Sequence, residues 1–325
     1  MVRRFISLVL FVCVIASFTT FSKLENHAAD DSSGPLIEDN GMIEGLAWTP
    51  DSRRVVMSLN RTGVGKGSNN LYQLDVASGK MTSLTKTQEE DTTPTISPDG
   101  RYVAFMRGPY SGNNIWVASL GDKRSHPVTH FAIPRAGADD INRVFNWSSD
   151  SKSLVMIETS AGFSPRVSSL GLTGTRRRLP EIEKALSALK DPVTNVYGLS
   201  SDSTGSRLAI FSVSGGKSRV LIVDRQQSNV TTTIEAYPGT VGTPRWSSDD
   251  RFIYVCADLD LTIPQNRRSS SRGKPGTFRI DASNGRVERV SEHYGELSPD
   301  GHKLLWEESV RSSRGGFKLW LELLS

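Results

Sequence analysis

Only two cysteines occur in the 325 residues, Cys13 and Cys256. That excludes a disulfide framework and a cysteine-built zinc site. Neither sign of charge dominates: 39 Lys and Arg stand against 35 Asp and Glu, a net charge of +4. Arg3 and Arg4 are the only charges among the first 22 residues, so the rest of the chain carries +2. A nearly neutral body argues against nucleic acid as a partner. Past the N-terminus no uncharged apolar run is long enough to span a bilayer. Gly (28) and Pro (15) are too few for a fibrous or low-complexity chain. Reaction motifs are missing too: there is no G-x-S-x-G elbow, no His-x-His and no His-Glu-x-x-His. Ser214-Gly215-Gly216-Lys217-Ser218 ends like a phosphate loop, but Phe211 holds the place of its first glycine.

What is present begins with an export segment. Met1–Arg4 is basic, and Phe5–Phe18 is an uncharged apolar run of 14 residues. Residues 1–22 are read as a signal peptide or an uncleaved membrane anchor, and polar residues 23–35 as a linker. The body is expected outside the cytoplasm, periplasmic or extracellular, touching a membrane only through that anchor.

A repeat fills the remainder. Trp48-Thr49-Pro50-Asp51-Ser52, Ile96-Ser97-Pro98-Asp99-Gly100 and Trp147-Ser148-Ser149-Asp150-Ser151 are followed by three more turns. These are Leu199-Ser200-Ser201-Asp202-Ser203, Trp246-Ser247-Ser248-Asp249-Asp250 and Leu297-Ser298-Pro299-Asp300-Gly301. The six aspartates lie 48, 51, 52, 47 and 51 residues apart, a period in the range of propeller blades. In each unit an apolar strand end precedes the turn, and strands such as Arg54–Leu59, Asn70–Val76 and Met81–Thr85 follow it. The expected fold is all-β: a six-bladed propeller of four-stranded antiparallel blades over residues 36–325. The last unit stops after its third strand, while Leu36-Ile37 precede Trp48 by the spacing that separates Leu84-Thr85 from Ile96-Ser97. The Pro35–Glu38 segment is therefore expected to supply the missing outer strand and close the ring.

The pattern W-S-P-D-G, strand, N-L-Y-x-L-D, Gly turn, L-T resembles the repeats of TolB-type six-bladed propellers. Asn70-Leu71-Tyr72-Gln73-Leu74-Asp75 and Asn114-Ile115-Trp116-Val117 carry the resemblance most closely. It implies the fold and a binding habit, without the N-terminal α/β domain of full TolB proteins or the hydrolase domain of prolyl-oligopeptidase-type enzymes. In blade four, Thr204 reads as an extra residue.

Candidate sites follow from the blade geometry. The turn aspartates read as structural, and Trp48, Trp147 and Trp246 as packing between blades. Leu259–Gly276 is the longest insertion and holds Arg267, Arg268, Arg272 and Lys274, with Arg311 and Arg314 in the corresponding loop of blade six. Together they read as an electrostatic arm for an acidic partner, anionic glycan or lipid headgroups. Residues leading into the innermost strands, Glu44, Arg143, Asn195, Arg245 and Glu296, are expected to rim the channel. Glu181–Lys190 reads as a short helix with an apolar stripe at Ile182, Leu186 and Leu189. Asp139-Asp140 and Asp258-x-Asp260 read as solvated carboxylates rather than Ca²⁺ ligands.

The function expected is that of a non-catalytic protein- or peptide-binding or scaffolding module of the cell envelope, without cofactor or metal. The alternative is an enzyme acting on an anionic polysaccharide. Oligogalacturonate lyases have similar propellers and a His-rich metal site; His130 and His293 are the histidines here that fall in loops on one face.

Overall fold

The computed structural model describes residues 34–61, 68–108, 113–131, 142–160, 163–214, 217–236, 242–259, 261–262, 273–310 and 316–324. A short strand, Ile37–Asp39 (β1), comes first. Blade one follows as Met42–Trp48 (β2), Arg54–Asn60 (β3), Asn70–Asp75 (β4) and Met81–Ser83 (β5). Blade two is Asp91–Ile96 (β6), Tyr102–Arg107 (β7), Asn114–Ser119 (β8) and Ser125–Pro127 (β9). Blade three is Asn142–Trp147 (β10), Ser153–Thr159 (β11), Arg166–Gly171 (β12) and Arg176–Arg178 (β13). Blade four is Asn195–Ser201 (β14), Arg207–Ser214 (β15), Lys217–Asp224 (β16) and Asn229–Ala236 (β17). Blade five is Arg245–Trp246 (β18), Phe252–Leu259 (β19), Lys274–Asp281 (β20) and Val287–Ser291 (β21). Blade six has Gly295–Leu297 (β22), Lys303–Ser309 (β23) and Phe317–Leu323 (β24), and β1 is its fourth strand.

The ring is closed as the sequence predicts, with Ile37, Glu38 and Asp39 opposite Leu319, Lys318 and Phe317. The pairing runs one residue past the expected Pro35–Glu38. The Asp39 carboxylate also accepts a bond from Arg61 at the end of blade one, which ties the latch to both sides of the closure.

Each 1–2 turn is built from local bonds. The hydroxyls of Thr49, Ser97, Ser148, Ser247 and Ser298 donate to Asp51, Asp99, Asp150, Asp249 and Asp300 at 2.5–2.7 Å. The same carboxylates accept the N–H two residues on, from Arg53, Arg101, Lys152, Arg251 and His302. The Ser148 and Ser247 hydroxyls accordingly hold Asp150 and Asp249 below the ordinary carboxylate range.

Blade four departs from the sequence reading. Asp202 donates its N–H to the Arg207 carbonyl, as Ser97 does to Tyr102. Asp202 thus takes the serine position and Thr204 the aspartate position, with Thr204 Oγ1 donating to Asp202 and accepting the Ser206 N–H. The two partners have exchanged roles, and the turn contains no extra residue.

The blades alternate in how they meet. Trp48, Trp147 and Trp246, on blades one, three and five, donate their indole N–H to Glu296, Thr95 and Ser200 carbonyls at 2.8, 2.9 and 3.1 Å. Each acceptor lies on the first strand of the preceding blade. The turns repeat this pairing: the Ser52 and Ser151 hydroxyls accept the N–H groups of Asp300 and Asp99, and the Asp250 carboxylate accepts that of Ser203. These bonds mark the seams of six with one, two with three and four with five, while the other seams are bridged differently, by Ser58 to the Asp91 carbonyl, Asn146 to the Leu199 carbonyl and Cys256 to the Gly295 carbonyl.

The core lies between sheets rather than in one central mass. One of two equally large clusters joins blades four and five through Phe211, Ile222, Trp246, Ile253 and Phe278. A helix, Pro180–Ser187 (α1), is shorter than the expected Glu181–Lys190. Ile182, Ala185 and Leu186 face inward against Leu208, Leu221 and Val223 of blade four. With its apolar side consumed by the ring, the helix is a packing element.

Candidate functional site

A propeller's first strands wall its channel, so the site is built from β2, β6, β10, β14, β18 and β22. Trp48, Ile96, Trp147, Ser201, Trp246 and Leu297 stand opposite equivalent residues of the second strands. The residue before each, Ala47, Thr95, Asn146, Ser200, Arg245 or Glu296, points the other way because strand side chains alternate. These six form one level of the wall near the 1–2 turns. Neighbours bond along it: Thr95 Oγ1 donates to Asn146 Oδ1 at 2.5 Å, and Asn146 Nδ2 to the Leu199 carbonyl at 2.7 Å. The Ser200 hydroxyl is buried with no bond to the described residues. Arg245 and Glu296 complete the belt as an ion pair at 3.7 Å, their side chains 26% and 31% exposed. Burial raises the Glu296 carboxyl, and Arg245 pulls it back.

The five rim residues read from sequence thus occupy two levels. Arg245 and Glu296 meet in the belt. Glu44, Arg143 and Asn195 lie at the opposite ends of their strands. Glu44 sits at a bulge between Ile43 and Gly45; burial raises its carboxyl, Asn69 counters with a bond, and Glu90 repels it. Arg143 donates to Glu158 at 3.0 Å, and its guanidinium lies 4.0 Å from the Phe131 ring centroid. Asn195 opens β14 opposite Val213.

Of the proposed arm, Lys274 is the exposed first residue of β20. Arg267, Arg268, Arg272, Arg311 and Arg314 lie outside the described residues, as do Asp139, Asp140 and Asp260. Asp258 is fully buried. His130 is exposed. His293 stacks on Trp306 with ring centroids 4.0 Å apart, and its Nδ1 lies 3.2 Å from Glu322. Among the described residues no three His, Cys, Asp or Glu group closely enough to hold a metal ion. The Cys256 thiol donates to the Gly295 carbonyl, and burial pushes it up to about 12, far from a nucleophile's range.

Sequence reasoning missed several charged centres, two of which stand out. Asp91 is fully buried and grips Arg107 through both oxygens at 2.6 and 2.9 Å. Glu158 holds Arg143 and Arg176 together. Their only sequence trace is a charge at a strand end.

With the ring, its turns and its closing strand in view, comparison with known proteins is decisive for the fold. The TolB beta propeller domain model matches residues 31–181. Residues 31–181 are thus similar to the TolB propeller domain, and the described residues form six blades. It is similar to the Tol-Pal system protein TolB of Francisella tularensis subsp. tularensis (strain WY96-3418), 29% identical over 96 residues. That alignment covers 29% of this chain and 21% of the relative, so the chain spans about a fifth of the curated protein it matches. Among solved structures, TolB from Acinetobacter baumannii superposes with a TM-score of 0.58 at 15% identity, covering 85% of this chain and 65% of that one. Oligogalacturonate lyase from Vibrio parahaemolyticus gives 0.54 at 12% identity, covering 91% and 95%. Both likenesses concern this propeller's fold.

Proposed function

We propose that this propeller is an exported, non-catalytic module of the cell envelope that binds an extended segment of a protein partner at its channel. The observation that carries the reading is the partly exposed Arg245–Glu296 pair, the charged members of an otherwise uncharged belt. The pair presents both a donor fork and an acceptor to a passing main chain or a chain end. Support also comes from the relatives named for the Tol-Pal system, a protein assembly. No helix among the described residues is long and apolar enough to cross a membrane. Attachment, where it occurs, would fall to residues 1–22.

The test is affinity capture from envelope extracts with the wild-type chain, Arg245→Glu and a variant with residues 260–272 shortened. A partner retained by wild type and lost from Arg245→Glu supports the channel as the site; one retained equally by both variants overturns it. The second reading, an enzyme on an anionic polysaccharide, is favoured only by the fold shared with oligogalacturonate lyase. It requires a stoichiometric transition metal on the purified protein and release of unsaturated sugars from an anionic polymer.

A further inference from the structure

The outer edge of blade three carries a second, separate feature. Its last strand, β13, is Arg176-Arg177-Arg178, and all three residues are exposed. It ends its sheet and pairs only with β12. Gly171 donates its N–H to Thr175, and Leu179 donates to Val167. Bonding in an antiparallel ladder alternates, so between these two Arg177 exchanges bonds with Ser169. The N–H and C=O groups of Arg176 and Arg178 therefore point away from the sheet.

The side chains add charge to this edge. Arg176 and Arg143 share Glu158. Arg178 is bound by Glu183, which also feels the Arg166 charge and accepts the Val167 N–H. On the two outer strands themselves, Arg166, Arg176, Arg177 and Arg178 stand against two carboxylates, Glu158 and Glu183, so the positive surplus remains. Arg166 and Arg178 stay open to solvent, the latter with a 75% exposed side chain. Arg177 lies on the opposite face of the strand. Phe163, just before β12, is 62% exposed, a degree few large apolar side chains here reach.

We propose that β13 is a docking edge for an extended acidic segment of a partner protein, which adds to blade three as a fifth strand. The free backbone groups of Arg176 and Arg178 supply the ladder bonds. Arginines on both faces of the strand match a segment with consecutive carboxylates, whose side chains also alternate between faces. A flat anionic bilayer would meet only one face. Like charge turns away basic strands, and burying unpaired arginines disfavours neutral ones, so the same edge that resists unspecific pairing selects an acidic one. This surface is distinct from the channel and stands or falls independently of it.

The test uses the full chain and a labelled short peptide with three consecutive glutamates flanked by threonine and valine. A lysine-for-glutamate peptide and phosphatidylglycerol vesicles serve as comparisons. Expected are binding of the acidic peptide alone, weakening as salt rises, and a loss of at least about tenfold in Arg166→Glu with Arg177→Glu. In the wild-type chain, amide exchange at Arg176 and Arg178 should slow when the acidic peptide is added. That measurement decides the matter even where the double variant folds poorly. Absent binding, unchanged exchange at those two amides, or vesicle binding without peptide binding would overturn the proposal.

Discussion

Three residues in the turns between first and second strands hold a left-handed backbone without being glycine: Ser52, Ser151 and Asp250, with φ of 55°, 58° and 57°. The equivalent residues of the other blades are Gly100, Gly205 and Gly301. A side chain there costs about 1 kcal/mol of backbone strain. Each of the three offsets it by accepting an N–H from the preceding blade. Ser151→Ala keeps the strain and loses the bond, and should cost about 1–2 kcal/mol in denaturant unfolding. Ser151→Gly loses both and should cost less. Gly205→Ala should be worse than either, because its new Cβ would lie 2.7 Å from Ser149 Oγ at φ +70°. An order that places Ser151→Gly last would refute the trade.

Glu307 is a titration probe for the closing seam. It lies on the face of β23 that also presents Leu305 to blade one, and burial raises its carboxyl from 4.5 to about 7. Between those two pH values the folded chain keeps a proton that the unfolded chain has lost. Stability should therefore fall as pH rises across that window, by roughly 2 kcal/mol, and level off above it. Glu307→Gln should flatten this part of the curve. Identical pH profiles for the two proteins would show that the carboxyl is solvated.

Among the elements, β1 does the most with the fewest residues. Three residues cover the free edge of β24, and Ile37 joins the cluster of Trp48, Val55, Leu305 and Phe317. A chain starting at Gly34 should unfold like the longer protein, while one starting at Gly41 should lose several kcal/mol and aggregate through the bared strand. Equal melting of the two would mean that the ring closes without its latch. The helix shows the opposite case. Its amphipathic stripe was plain in the sequence, but whether that stripe met the ring or a partner depended on blade four, whose Leu208 and Leu221 cover it.

Across the ring, the three indole bonds make a quantitative claim. The three indole bonds are equivalent in geometry and lie in separate seams, so Trp48→Phe, Trp147→Phe and Trp246→Phe should each cost about 1 kcal/mol beyond packing differences. Their effects should add in the triple variant, because distant sites without shared partners act independently. Strong non-additivity in thermal unfolding would mean that the seams yield together rather than independently.

Blade number, strand order and ring closure were all readable from residue order. The bonds that build each turn join residues no more than five positions apart, so every unit carries its own copy. Blade four marks the limit of that reading. Aspartate spacing nominated Asp202, whereas backbone register seated Thr204 in its place, since hydroxyl and carboxylate can exchange ends of one bond. Contacts between blades were beyond local pattern altogether. Trp48 meets Glu296 across 248 positions, and Glu158 gathers arginines from β10 and β13. Such meetings depend on how each sheet is rotated against the next, and that rotation is set by the side chains packed between sheets rather than by any short stretch of chain.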